Sequence, residues 1–312
     1  MIKAFGALLL RALVVLSGTA ILTFALLWNA PGDPAQAIAM ARFDALLTDD
    51  VIDQVREEVG LNRSFWRAFW AWLGPLVTLD FGFSAVTGRP VWPDLFTAIS
   101  YTFPLAFAAL AIGLCVSVPL ALVATKKPGG VLDRVAVGIA SLGNAIPAYW
   151  LGLILILVFS VKLAWLPALG ASTPAHAILP ALTLGLGVAA SLTRIIRSGI
   201  LEARGQPFLP AFRRRGVSQR ALSRDHIAPH AAIPVITVFG LELAFLLEGL
   251  VLVEVIFGRP GLGTFLVQAI MARDFAHVQA VVVLTALVFV TVNLAIDMIY
   301  RVLDPRIGES NA

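Results

Sequence analysis

Residues 194–234 read RIIRSGILEARGQPFLPAFRRRGVSQRALSRDHIAPHAAIP. They form a basic, helix-compatible insert between two long apolar runs, residues 178–196 and 231–256. Neither flank can take so many arginines into hydrocarbon, where each one at the bilayer centre is costly. The insert therefore lies in water. Lys and Arg are retained on the cytoplasmic side of short loops, so that water is cytoplasmic. A helix, a break at Gly216 and a second short helix ending near Pro229 would make a projecting knob. Read from the residues alone, the knob is either a topology determinant whose Arg213, Arg214 and Arg215 meet anionic lipid heads or a docking element for a soluble partner.

The same contrast runs through the rest of the chain. Of its 312 residues, 59% are hydrophobic and 13% charged, with a mean hydropathy of +0.89. A soluble domain carries roughly a quarter charged residues. The apolar excess comes in blocks of about twenty residues, the length that crosses about 30 Å of hydrocarbon. The sequence thus predicts an all-α polytopic membrane protein with six spans, near 8–28, 96–124, 135–161, 178–196, 231–256 and 280–303. Pro104 and Pro119 fall inside the second, where neighbouring helices can satisfy the freed carbonyls. The first span has a signal-peptide look, but its apolar part is nearer twenty residues than ten, so it is expected to remain uncleaved.

The expected organisation is a first transmembrane helix (1–30), an outer region (31–94), a five-helix core (95–305) and a short tail (306–312). Lys3, Arg11, Lys126, Lys127, Arg134, the arginines of the insert, Arg301 and Arg306 all fall on one side of such a layout, which makes both termini cytoplasmic. In the outer region, LLTDDVIDQVREEVGL (46–61) reads as a soluble helix with Thr48 or Asp49 near its N-cap. SFWRAFWAWLGPLV (64–77) reads as a helix at the membrane surface, and LDFGFSAVTGRPVWPDL (79–95) as turns.

The net charge of +4 follows from this topology, and no nucleic acid partner is implied. Cys115 is the only cysteine, so no intrachain disulfide or thiolate cage exists. No Gly-rich loop ends in Gly-Lys-Ser/Thr, so the chain has no P-loop. No Ser/His/Asp arrangement lies near a plausible pocket either. The chain is therefore not expected to be an enzyme or to hold a cofactor, and any energy source belongs to a partner.

Several motifs carry a resemblance. PGDPA (31–35), LDFGFS (79–84), GRPV (88–91), IPAYWLGLILILVFS (146–160), LAWLPALG (163–170), VEVIFGRPGLG (253–263), ARDFAHVQ (272–279), NLAIDMIY (293–300) and LDPRI (303–307) occur in this order. The basic insert adds Ala211, Gly216, Ser218, His226, Pro229 and Pro234. Together they resemble the membrane permease subunits of ABC importers of the dipeptide, oligopeptide and nickel class. The resemblance implies a type I importer fold, with a cytoplasmic coupling helix between the fourth and fifth spans, within 199–230. It implies an inner-membrane location and four kinds of partner. These are a second homologous permease, two cytoplasmic ATPases that bind ATP and Mg, an extracytoplasmic solute-binding protein, and membrane lipid. It places Ala211, Phe212, Arg213, Arg215, Gly216, Val217 and Ser218 in a cleft of the ATPase. The chain departs from the family at Pro210, where the family has Glu, at Phe212, where it has a second Ala, and at Pro207. The coupling helix should then start at or after Pro210.

Glu242, Glu248 and Glu254 are six residues apart in the fifth span, so successive ones point about 240° apart and share no stripe. Glu248, with Glu242, is read as lining the pathway, because an intramembrane carboxylate faces a cavity rather than lipid; a buried pairing is the plainer reading. Asp297 and Arg301 are spaced for a helix-face ion pair. His226 and His230 could share a metal by spacing, but no third ligand is near, and a structural role is expected. His176 and His277 fall in outward loops where a metal cargo could meet them. LDFGFSAVTGRPV and EARGQ (202–206) lean the cargo towards nickel over short peptides. The competing class is an ion-coupled secondary transporter using Glu242, Glu248 and Asp297. It would show matched halves with broken helices, and the sequence has none.

Overall fold

The computed structural model describes residues 2–43, 48–76 and 78–303. The side chains of Lys3 and Arg301 and the tail from residue 304 lie outside the described residues, and so does the expected Asp297–Arg301 pair. Thirteen α-helices are described: α1 (Ile2–Trp28), α2 (Pro34–Phe43), α3 (Asp49–Glu58), α4 (Phe65–Leu76), α5 (Val91–Ala124), α6 (Val131–Ala145), α7 (Ala148–Leu155), α8 (Ile178–Arg204), α9 (Leu209–Arg214), α10 (Gln219–Leu222), α11 (Ala228–Ile256), α12 (Leu262–Met271) and α13 (Phe275–Leu303). Four segments are long and apolar enough to cross a membrane: Leu10–Trp28, Val91–Ala124, Pro174–Arg204 and Phe275–Ile299. The 29-residue α11 has the length as well, about 43 Å at 1.5 Å per residue, and it carries the three glutamates.

The third expected span is not one rod. α6 and the pair formed by α7 with its π-helical continuation to Lys162 meet at an angle of 100°. The cause is local. Pro147 has no N–H to donate, and its ring forces the preceding residue out of the helical region. Ile146 accordingly sits at φ −85°, ψ 121° and Pro147 becomes the N-cap of α7. The fourth span is longer than expected, because its helix continues past Ile196 to Arg204. Arg194 and Arg197 are thus on one continuous helix. The segment 257–279, expected to be a loop, contains α12.

The chain divides into two compact units, Met1–Thr102 with Pro260–Thr291, and Phe103–Arg259 with the segment from Val292. In the second unit α8 is the central element. Leu184, Val188, Leu192, Ile196 and Ile200 recur every four residues and are buried, close to the spacing of one helical face. α8 packs along α11, and α5, α6 and α7 pack around it. Close approach depends on small residues: a Cβ at Gly185 would lie 2.8 Å from Ile112 and 2.9 Å from the Ala109 carbonyl oxygen of α5. Helices in lipid associate through such van der Waals fit, since lipid offers no hydrophobic gain.

In the first unit, α2 and α3 bury Ala35, Ile38, Ala39 and Val55 against one another. Thr48 is the N-cap of α3, as expected, and acids fill its first turn. α4 turns Phe69 inward onto Phe24 of α1 at 5.4 Å and leaves Trp66 and Trp70 exposed, the division of a helix lying at an interface.

Candidate functional site

The basic insert folds as a helix, a glycine turn and a second helix. α9 begins at Leu209 with Pro210 in its first turn, one residue ahead of the expected start, in the position where a missing N–H costs nothing. It ends in a Schellman arrangement. The Gly216 N–H donates to the Arg213 carbonyl (3.1 Å) and the Val217 N–H to the Phe212 carbonyl (3.2 Å), with Gly216 at φ +76°. Those two bonds satisfy carbonyls that the helix end leaves open, and the positive φ explains the glycine. Ser218 then caps α10, its Oγ accepting the Ala221 N–H at 3.3 Å.

Of the seven residues expected at a docking cleft, Ala211, Arg213, Arg215, Gly216 and Ser218 are exposed, while Phe212 and Val217 are half-buried. Phe212 faces its own chain. Its ring stacks on His226 (4.1 Å between centroids), and Phe208 packs on His230 at 5.3 Å. The two histidines are thus aromatic partners of α9, and no group of metal-binding side chains occurs among the described residues. Arg213, Arg214, Arg215 and Arg220 are exposed and make no ion pair among the described residues, whereas Arg224 pairs with Asp225 at 2.6 Å. The knob presents a surplus of positive charge on a rigid, stacked base.

The base is tied to the bundle. Arg197 of α8 grips Asp133, in the first turn of α6, through both carboxylate oxygens, with Nη2 to Oδ2 at 2.7 Å. The Gly129 N–H also donates to Asp133 at 2.7 Å. Arg204, at the end of α8, donates to the Thr125 carbonyl. The Arg197 hydrogen bond and then the Gly129 N–H hold the Asp133 carboxyl down at about 2, against the opposing pull of burial. A depressed carboxylate stabilises the fold above its unfolded value, and the contribution is lost as pH falls towards 2. The thermal stability difference between the wild-type chain and Asp133→Asn should therefore be constant from pH 8 to about pH 5 and shrink below about pH 4. A difference that keeps its size at pH 3 would rule the ion pair out as its source.

A second polar cluster lies in the first unit and was missed as a cluster, although its residues sit in quoted motifs. The Ser84 hydroxyl donates to Asp274, and His277 Nδ1 contacts the same Asp274 oxygen at 2.6 Å. All three are buried. His277 Nε2 is 3.7 Å from Asp94, and Asp94 pairs with Arg89 at 3.1 Å. Burial pushes the Asp274 carboxyl up, but the hydrogen bonds from His277 and Ser84 more than offset it and hold it below the usual range. Ser84 also accepts the N–H groups of Val86 and Thr87 and so closes the 81–92 turn. Arg273, at φ +54°, lays its guanidinium over Gly32, where a Cβ would come within 2.6 Å. PGDPA, LDFGFS and ARDFAHVQ therefore meet at one place. His277, expected in a loop, belongs to α13 and is enclosed; His176 contacts the Thr173 hydroxyl at 2.8 Å.

The intramembrane acids separate as their spacing demands. Glu254 is fully buried; Glu242 is half-buried, near Ser191 and Arg194; Glu248 is exposed.

Known proteins place this architecture. The family described as binding-protein-dependent transport system inner membrane component matches residues 117–309, and its N-terminal counterpart matches residues 1–106. The chain belongs to this binding-protein-dependent transport family. Curated relatives include the glutathione transport system permease protein GsiC of Escherichia coli (strain K12) and that of Pectobacterium atrosepticum. Each is 36% identical over 287 residues, covering 92% of both chains. Among solved structures, an inward-facing MetNI methionine ABC transporter aligns with a TM-score of 0.57 at 19% identity, over 68% of this chain and 96% of that one. A crystal structure of an amino acid ABC transporter with histidines aligns at 0.54 and 21%, over 67% and 94%. At these identities the structures speak for the fold, that of ABC importer permeases. This binding-protein-dependent transport component is an ABC importer permease of the inner membrane. It is a transport component and not an enzyme, and it works with ATPase and substrate-binding partners.

Proposed function

We propose that this permease forms half of a translocation path for short peptides of the glutathione type. It would pair with a second homologous permease, two cytoplasmic ATPases carrying ATP and Mg, and an extracytoplasmic solute-binding protein. The supporting observation is the 36% identity to glutathione permeases over 92% of both chains. Two local features agree. The histidines that could have met a nickel cargo are engaged, His277 with Asp274 and His176 with Thr173. No metal-binding group is found among the described residues.

In this reading α11 and the bent α6–α7 pair complete six crossings, both termini are cytoplasmic, and region 31–94 faces the binding protein. Ala211, Arg213, Arg215, Gly216 and Ser218 enter the ATPase cleft, with Arg213 and Arg215 pairing with acids there. Phe212 and Val217 fix the pose of α9 from behind. A rigid knob stacked on His226 and continuous with α11 transmits a shift of the ATPase to the bundle. Glu248, exposed on α11, lines the path, and Glu242 stands about one and two-thirds turns away.

Cargo-dependent ATP hydrolysis by the reconstituted complex, with its binding protein, tests the assignment. Glutathione or dipeptides should stimulate hydrolysis and nickel salts or chelates should not. Stimulation by nickel species alone would return the cargo to metal. Uptake that follows a proton gradient without ATP would replace the importer by the secondary transporter.

A further inference from the structure

A cavity of about 450 Å³ opens inside the first unit, between the end of α1, α4, the α2–α3 pair and the start of α13. Its size falls within the range of sites that bury most of a small ligand. Its lining is graded. At the level of the α1 terminus the wall is Phe24, Leu27, Trp28 and Trp72, and beyond it stand Asp33, Arg56 and Arg63. The grading has a direction relative to the bilayer. α1 is apolar from Leu10 to Trp28, so Trp28 marks the interface, where amphipathic rings gather. Trp66 and Trp70 are exposed on α4, whose Phe65 packs edge-on against Trp28 at 5.8 Å. The apolar half of the cavity therefore sits at acyl depth and the charged half at headgroup depth.

Of the two arginines at the rim, one is paired and the other is not. Arg56 is neutralised, held by Asp33 at 2.6 Å and by Asp53. Arg63 is exposed and makes no ion pair among the described residues. Its position is set by Gly60, which has φ +75° and over which the Arg63 side chain folds; a Cβ there would lie 3.1 Å from Arg63 Nε. The rim offers one guanidinium without an ion-pair partner among the described residues, a planar donor fork that suits a phosphate.

We propose that this cavity is a binding site for an anionic phospholipid, with one acyl chain between α1 and α4 and the phosphodiester on Arg63. The site uses none of the coupling residues and does not depend on which cargo is carried. A bound lipid would brace the outer region against α1 and would make the transporter respond to the anionic lipid content of its membrane.

Trp28 and Trp72 supply the readout. The assembled transporter would be placed in nanodiscs of phosphatidylcholine containing one-fifth brominated-acyl phosphatidylglycerol or brominated-acyl phosphatidylcholine. Phosphatidylglycerol should quench tryptophan emission more strongly at equal bromine content. The excess should vanish in the Trp28→Phe/Trp72→Phe double variant. Arg63→Gln should weaken it by about fivefold in apparent affinity, the effect of one surface cation on an anionic lipid. Ala71→Trp, which fills the cavity from α4, should abolish it while the coupling segment is untouched. Equal quenching by the two lipids, or an excess unchanged in Arg63→Gln, would overturn the proposal. So would an excess displaced by glutathione or a dipeptide, which would make the cavity a cargo site. Failure of peptides to stimulate ATP hydrolysis would leave this result unaffected, so the two readings fail separately.

Discussion

Replacing Asp274 by alanine should cost the chain about 2 kcal/mol or more, because two buried groups lose a charged acceptor and hydrogen bonds to charged groups contribute about 1.5–3 kcal/mol. Asp274 receives the Ser84 hydroxyl and the His277 imidazole, both buried. Alanine would leave two donors facing an apolar gap, and an unsatisfied buried donor carries its full desolvation penalty. Ser84 also closes the 81–92 turn through Val86 and Thr87, so the loss should spread to that turn. Thermal unfolding of the purified chain, with protease sensitivity of the 81–92 segment as second readout, checks this. Asp274→Asn, which keeps the shape and one acceptor, should lose less. If Asp274→Ala unfolds at the wild-type temperature, the cluster contributes nothing and its burial has another cause.

The second large effect concerns Gly216. Valine there should leave the permease in the membrane but reduce transport by at least tenfold. The φ of +76° is open to glycine and costs an L-residue roughly 1–2 kcal/mol, most for a β-branched one. The chain would relieve that strain by opening the turn, and the bonds from Gly216 to Arg213 and from Val217 to Phe212 would go with it. α9 would then keep its stacking on His226 but lose its fixed angle to α10. Gly216→Asn, which tolerates the left-handed region, should retain most of the activity. The measurement is uptake per permease molecule in the membrane, with basal ATP hydrolysis of the complex read alongside. Normal uptake by the valine variant would show that the turn angle is irrelevant to coupling.

Much of this was legible in the sequence. Pro210 and Gly216 encode a helix start and a sharp stop, both local preferences, and the structure has both; the second short helix, expected to end near Pro229, instead runs through it into α11. The helix containing Glu242, Glu248 and Glu254 obeyed simple rotation, and the acids differ in exposure accordingly. The fold class followed from composition, because a bilayer leaves few choices of backbone. The α6–α7 break was present in the sequence as Ile-Pro, but an unbroken apolar run concealed it. Hydropathy reports where a segment is soluble in lipid and says nothing of its direction. The Asp133–Arg197 pair was out of reach, since nothing local joins residues 64 positions apart. Ser84, Asp274 and His277 were quoted within motifs, and their joint purpose needed the tertiary fold. His277 is the instructive case: its neighbours in sequence suggest a loop, and only the packing of Phe265 on its ring at 4.7 Å shows it enclosed.

The Ile146–Pro147 junction has a mechanical consequence. On one side, α6 is held to α8 by Asp133 and by Gly143 lying close to Ala190; on the other, Gly152 of α7 rests on Phe257 and Thr183. The two arms are thus moored at different heights of the same mast. Bending a continuous helix between two such moorings would break backbone hydrogen bonds, but here the proline has no N–H bond to break. The junction is a point of compliance, where movement passed up from Arg197 can be absorbed without tearing the bundle.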